Sequence, residues 1–580
     1  MSFLVSPGVN TSEIDLTTSV PSVGTSTGAT AGVFRWGPAN TIIQVSSESD
    51  LVQKFFEPNQ NTSGSFLSAA NFLAYGNDLR VIRVINSTAG TNASNNAVSN
   101  TSHFAIIAND EDYFNNQYNG ANTLVQWAAR YPGADGNSLR VSVCAEGSSF
   151  SNWIYASYFD AAPNTTNYAS ATTGNSNLKD EMHVIIVDED GQITGTANTV
   201  LERWPSLSKA SDARGDDGSS IYYKEVLFRN SEWIHWLGHA SGSNSTNTWG
   251  QTVATVNASG DKFHQPAVST LSLSNGADGS ITQANLVTAI NLFDNAEKID
   301  ISLLFSGDCG VGANSAINAA TVSNQYLTVA ASRKDCVAFV SPALANVVGS
   351  QASASAVVNF RNSLTSTSYG VMDSGWKYQY DKYNDVYRWI SLNADIAGLC
   401  VRTDLQRDPW FSPAGLNRGQ IRNLVKLGLN PTQSERDTLY KAGVNPVVSF
   451  PGEGTVLFGD KTLQGRPSAF DRINVRRLFI VLEKAISSAA RSSLFEFNDE
   501  FTRSQFVALV EPFLRDVQGR RGIYDFRVVC DETNNTPGVI DRNEFVGDIY
   551  IKPARSVNFI QLNFVAVRSG VAFDEIVGRF

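Results

Sequence analysis

Thr282–Val340 reads TQANLVTAINLFDNAEKIDISLLFSGDCGVGANSAINAATVSNQYLTVAASRKDCVAFV. Its apolar period changes along the run. Asn285–Ala296 is spaced as a helix, Ile299–Phe305 as a strand, Asn314–Ala331 as a helix and Cys336–Val340 as a strand. Helix and strand in alternation imply crossover connections, and hence a mostly parallel sheet. This stretch sets the α/β class.

Toward the N-terminus the alternation continues. Thr27–Arg35 and Ile42–Val45 read as strands around a Gly37-Pro38 turn. A helix follows from Ser49, with Ser47 and Asp50 as its cap signal. Phe66–Tyr75 is a second helix ended by Gly76, and Leu79–Ile85 is a strand. Asn86–Asn100 is rich in Ser, Thr, Asn and Ala and reads as a loop. Order resumes at Gly120 and reaches the strand Leu139–Cys144. His183–Val187 and Gln192–Thr194 flank Asp188-Glu189-Asp190-Gly191 as a hairpin. Met1–Val20 has no helical period. Its apolar residues Leu4, Val5, Val9 and Ile14 suit an arm, or a lone strand that needs a sheet elsewhere.

Toward the C-terminus, Asp373–Trp389 is strongly aromatic, and Ile421–Leu427 and Pro431–Ala442 read as helical. Val475, Leu478, Phe479, Leu482 and Ile486 share one helical face; Phe506, Leu509, Val510, Phe513, Leu514 and Val517 share another. Pro512 is placed to kink the second helix and Gly519 to cap it. Ile523–Cys530 is a strand and Asn534–Gly538 a turn. Phe545–Lys552 and Val557–Val567 then read as long strands with open edges. Such edges are rows of unpaired N–H and C=O groups. Such edges lead us to expect a chain that joins copies of itself.

At 580 residues several domains are expected, and 42% hydrophobic against 17% charged residues excludes a disordered chain. The net charge of −11 and pI of about 5.1 argue against direct nucleic-acid binding. The charge is uneven: from Pro451 onward 17 basic residues balance 17 acidic ones, so the excess acid lies before that point. Five cysteines, widely spaced and without a CxxC pair, suit buried thiols rather than disulfides or zinc. No signal peptide and no run long enough for direct membrane insertion is expected.

Each chemical motif falls short of its requirements. Gly454–Thr462 approaches a P-loop, but Asp460 separates Gly459 from Lys461, so a strand and turn is favoured. His235 and His239 would share a helix face, yet Trp236 stands where a zincin needs Glu. The acidic turn at Asp188 lacks the later calcium ligands. Cys309 in Ser306–Gly310 has no assignable base. Arg476-Arg477 and Arg520-Arg521 read as solvated faces or subunit ion pairs rather than phosphate sites. No catalytic, cofactor-binding or metal residue is expected.

Longer strings carry more information: YQYDKYNDVYRW (Tyr378–Trp389), LNADIAGLCVRTD (Leu392–Asp404), SPAGLNRGQI (Ser412–Ile421), PSAFDRINVRRLF (Pro467–Phe479) and RVVCDETNNTPGVIDRNEF (Arg527–Phe545). With LFGDKT, SPGVN, FRWGPA (Phe34–Ala39) and YGNDLRVIRV (Tyr75–Val84), they resemble the contractile tail sheath protein of large tailed myoviruses.

The resemblance implies nested α/β and α+β domains and exchangeable terminal arms. It assigns 1–20 to an N-terminal inter-subunit arm and 21–86 to the first part of the sheath core. It makes 87–119 a reduced remnant of an outer inserted domain, 120–265 a middle β-rich domain and 266–450 the α/β core. A tube-proximal α+β domain would occupy 451–556, and a strand and arm 557–580. The C-terminal arm would use Phe559, Ile560, Leu562, Phe564, Phe573 and Ile576, and a tube-facing helix would present Arg503, Glu511, Arg515 and Asp516. The implied partners are the chain itself in hexameric rings and a helical polymer, the tail tube protein, and baseplate and tail terminator proteins. The implied place is the virion tail, reached by assembly in the host cytoplasm. A bacterial contractile injection device would share the fold. A nucleotide- or metal-dependent enzyme and a tube or adhesin component are the remaining alternatives.

Overall fold

The computed structural model describes residues 24–95, 106–119, 125–238, 248–308, 317–558 and 561. Six strands form the central sheet: β1 (Gly28–Gly32), β2 (Ile42–Val45), β3 (Leu79–Arg83), β4 (Leu303–Phe305), β5 (Val337–Val340) and β6 (Gly370–Met372). Their spatial order is β6-β5-β4-β1-β3-β2. All neighbours are parallel except β2 and β3. The sheet therefore joins residues 28–83 to residues 303–372.

Parallel sheets persist where both faces are covered. Along β5, Val337 and Phe339 enter the cluster under α2 (Ser63–Leu73) and α5 (Asn393–Gln406). Ala338 and Val340 enter the opposite cluster with α3 (Gln283–Asn291) and α4 (Ala319–Arg333). A strand sends successive side chains to opposite faces, so a continuous apolar run fills both layers. Gly28 allows the closest approach: a Cβ there would lie 2.3 Å from the Phe72 ring of α2. Phe72 in turn stacks on Phe305 at 5.2 Å.

The alternation expected from Thr282 onward is present, with shorter elements. The expected helix to Ala296 ends at Asn291, and the expected strand from Ile299 begins at Leu303. The cap at Ser47 holds α1 (Glu48–Phe55), its side chain accepting from the Asp50 amide. Ile421–Leu427 is not helical. The Val425 amide donates to the Tyr378 carbonyl and the Gly428 amide to the Trp376 carbonyl, so Lys426–Leu427 is an edge strand on Trp376–Asp381. The open edge of the aromatic hairpin captures backbone groups that a helix would have paired internally.

The middle region carries an antiparallel sheet in the order Thr199–Ser208, Glu181–Asp188, Leu139–Cys144, Ser269–Ser272. The hairpin at Asp188 is wider than expected, and Gln192–Thr194 is not a strand. The buried Asp188 carboxylate accepts from the Gly191, Ile193 and Thr194 amides, which wraps those residues into a turn. Trp36, stacked on Phe56 at 5.4 Å, continues this core into the first strands' loops.

At the C-terminal end, α6 (Ile473–Ala490) and α7 (Glu500–Gly519) pack with a two-stranded hairpin, β7 (Ile523–Val529) and β8 (Asp548–Pro553). Leu478, Leu482, Phe506, Val510, Leu514 and Val517 are buried among them, on the faces that the spacing selects. α7 runs through Pro512 to Gly519. The left-handed position after it is filled by Arg521 (φ 67°) and not by Gly519, because the closing bond runs from the Gly522 amide to the Val517 carbonyl.

Candidate assembly surfaces

The hairpin β7–β8 is antiparallel, with a register shift between Ile523 and Asp525. That extra residue keeps Ile523 and Phe526 on the inner face while Tyr524 and Asp525 both face out. Ile549 and Ile551 of β8 join the inner face, and Tyr550 is exposed. No third strand pairs with either side of this sheet among the described residues. Both outer edges thus lack a strand partner, although Gln518 and Asn534 side chains donate to the Tyr524 and Val529 carbonyls of β7. A two-stranded sheet is marginal alone, and here the helices α6 and α7 support it.

The C-terminal unit is tied to the α/β core by charge. Arg477 of α6 donates to Asp404 Oδ2 of α5 at 2.6 Å, and both side chains are buried. Thr25 Oγ1 donates to the same oxygen at 2.7 Å. Asp404 holds the Arg477 guanidinium above its ordinary value against the opposing effect of burial. Arg472 pairs with Asp460 at 3.0 Å, and Lys484 with Asp300. Arg476 lies over the Phe470 ring at 3.9 Å. Arg520 pairs with Asp408 at 2.7 Å. Arg476, Arg477 and Arg520 are thus engaged by carboxylates and rings within the chain.

Beside the hairpin opens a cleft of about 1000 Å³, lined by Trp410, Tyr440, Phe458, Gln518, Tyr524 and residues of the segment Ala554–Asn558. It was not legible in the sequence, since its walls come from several segments far apart in the chain.

The helix α7 does not present its four expected charges together. Arg515 and Asp516 are exposed and Glu511 is half-buried, with Arg515 donating to Glu511 at 3.2 Å. Arg503 is buried and donates to Asn498 Oδ1 at 2.9 Å. The arm residues Leu4, Val5, Val9, Ile14, Phe559, Ile560, Leu562, Phe564, Phe573 and Ile576 lie outside the described residues. Of the expected strand Val557–Val567, Val557, Asn558 and Gln561 are described, and none lies in a strand.

The chemical motifs resolve into structure. Gly454–Leu457 is a strand paired with Val447–Phe450, and Asp460 is committed to Arg472. His235 sits on the strand Ile234–Trp236, so the four-residue spacing to His239 puts no two ligands on a helix face. His239 and Cys309 lie outside the described residues. The loop after β4 is closed by Asn393, which accepts from the Gly307 amide at 3.0 Å and donates to its carbonyl at 2.9 Å. Among the described residues no three His, Cys, Asp or Glu side chains gather as a metal site. No described helix is long and apolar enough to cross a membrane.

A layered α/β core bearing an α+β unit with open strand edges is an assembly scaffold. Family descriptions match it in three places: a phage tail sheath C-terminal domain over residues 466–566, a phage tail sheath central domain over 287–463, and a tail sheath domain III N-terminal region over 25–84. The chain is 36% identical to the tail sheath protein of Vibrio phage KVP40, covering 99% of this chain and all of that one. It is 34% identical to the tail sheath protein of Enterobacteria phage T4, with 99% of each covered. Its fold is shared with the anti-feeding prophage helical sheath in its contracted state, at 12% identity and a TM-score of 0.50, covering 96% of this chain and 98% of that one. This chain belongs to the phage tail sheath family.

Proposed function

We propose that this chain is the structural subunit of a contractile phage tail sheath. It polymerises as stacked hexameric rings around the tail tube and contracts to drive the tube through the host envelope. The observation that carries the reading is the hairpin β7–β8, supported on one face and, among the described residues, without a strand partner on either edge. Met1–Val20 and Val557–Phe580 are the arms that complete this sheet in neighbouring subunits. β-strand addition joins chains through main-chain bonds, which tolerate side-chain rearrangement.

The work is conformational. Subunits assemble in an extended, metastable lattice and rotate as rigid bodies into a shorter, wider one with more buried contact. A gain of a few kcal/mol per subunit suffices, because gains add over many copies. The exposed charges of α7 face the tube. Residues 451–556 are the tube-proximal domain, 266–450 with 21–86 the core, 120–265 the middle domain, and 87–119 a reduced outer insertion. The baseplate and tail terminator are further partners, the virion tail is the final location, and assembly precedes it in the host cytoplasm.

Deleting residues 1–20 is the test. The shortened chain is expected to be folded and soluble and to form no tubes under electron microscopy. Tubes as abundant as those of the full chain would refute the arm exchange.

A further inference from the structure

The connection between α6 and α7, Leu494-Phe495-Glu496-Phe497-Asn498-Asp499-Glu500-Phe501, combines three acids, no base and four large apolar residues. Phe495 and Phe497 are the two most exposed large hydrophobic side chains among the described residues, at 104% and 85%. Leu494 and Phe501 are exposed beside them. Clustered apolar side chains held in water mark an interaction surface, whereas isolated ones do not.

The tip is built rather than frayed. Asn498 Nδ2 donates to the Glu544 carbonyl at 2.8 Å, and Arg503 donates to Asn498 Oδ1 at 2.9 Å. The Asp499 carboxylate accepts from the Thr502 amide at 2.8 Å and caps α7. Phe495 adopts φ 69°, a left-handed conformation that is unfavourable for a bulky residue and persists where its surroundings impose it. The ring is thus displayed at a backbone cost.

The complementary surface lies at the opposite end of the same helix. Gln518 and Arg521, at and after the end of α7, line the cleft of about 1000 Å³. Arg418, Arg436, Arg521 and Arg555 line it against two acids, Asp437 and Asp460, and Asp460 is already matched by Arg472 at 3.0 Å. The cleft is therefore basic and walled by rings, including Trp410 and Phe458. Guanidinium groups both pair with carboxylates and stack on aromatic faces. The volume is ample for two phenylalanine rings and a carboxylate.

α7 has 20 residues, which at about 1.5 Å per residue holds tip and cleft about 30 Å apart. The tip cannot reach the cleft of its own chain. We infer that the acidic-aromatic tip 494–501 of one copy seats in the basic-aromatic cleft of an adjacent copy. A knob at one end and a socket at the other make a head-to-tail contact, which repeats into rings or helical polymers. The inference rests on the reading that copies of the chain assemble, and adds a side-chain contact to the arm exchange.

The test uses the full chain carrying both Phe497→Cys and Tyr524→Cys, assembled and then oxidised. A ladder of covalent multimers is expected from the double variant, and from neither single variant. Monomers alone, from assemblies visible by electron microscopy, would overturn it. So would efficient cross-linking of Tyr524→Cys to Phe573→Cys, which would make the C-terminal segment the occupant. In parallel, Glu496→Lys is expected to raise the concentration needed for polymerisation about tenfold, and adding Arg521→Glu to recover most of that loss. Normal assembly of Glu496→Lys removes this contact and leaves the sheath reading intact. A wild-type chain that never assembles removes both.

Discussion

Arg477 of α6 donates to Asp404 of α5 across 2.6 Å, and this buried pair is the charged clasp between the α/β core and the C-terminal unit. Removing one member leaves the other charge buried without its partner. Arg477→Leu or Asp404→Leu is expected to cost about 3–5 kcal/mol, and the double substitution less than the sum. Urea unfolding of the four proteins measures it.

Asp373 is fully buried beyond β6, accepting from Ser341 Oγ at 2.6 Å and from the Gly375 amide at 2.8 Å. Burial pushes its carboxyl up to about 7 from 3.8. A folded value above the unfolded one means that stability is fully present below about pH 4 and is lost as pH rises through 7. Asp373→Asn, which keeps one oxygen to accept from the Gly375 amide and removes the titrating proton, is expected to flatten the decline between pH 5 and pH 8. Melting temperatures of both proteins across that window decide it.

His235 has the opposite sign. It is stacked on Tyr113 at 3.9 Å, with Asp110 at 3.7 Å, and burial first, then the Arg130 charge, hold its imidazole well below the usual value. Its contribution is present above about pH 6.5 and is lost as pH falls. His235→Phe is expected to make unfolding of the middle region less sensitive to acid. Melting curves at pH 4.5 and 7 should converge in the variant; equal acid sensitivity in both proteins would exclude the role.

Gly28→Ala places a methyl group 2.3 Å from the Phe72 ring. Overpacking of this kind costs about 1–3 kcal/mol. Chemical denaturation should show the loss, and Phe72→Leu in the same chain should return part of it by making room.

Arg515 and Asp516 stand in solvent at 71% and 63% side-chain exposure. Reversing both is expected to leave the melting temperature within about 1 °C, because exposed pairs contribute little to stability. Cosedimentation with preformed tail tubes should fall if α7 faces the tube.

What the sequence determined here is periodic and local. The switch to alternating helix and strand after Thr282, the buried faces of α6 and α7 and the cap at Ser47 each follow from backbone geometry over a few residues. The long strings from Tyr378 onward also carried the family. Tertiary structure decided whatever depends on a distant partner. Lys426–Leu427, at the end of the expected helix Ile421–Leu427, became an edge strand because the edge at Trp376–Tyr378 offered it hydrogen bonds, and Arg503 turned inward because Asn498 was there to accept. The cleft has walls from segments more than 100 residues apart. Short-range spacing holds no record of which remote groups will meet. Burial and hydrogen bonding are settled only when the chain has closed on itself.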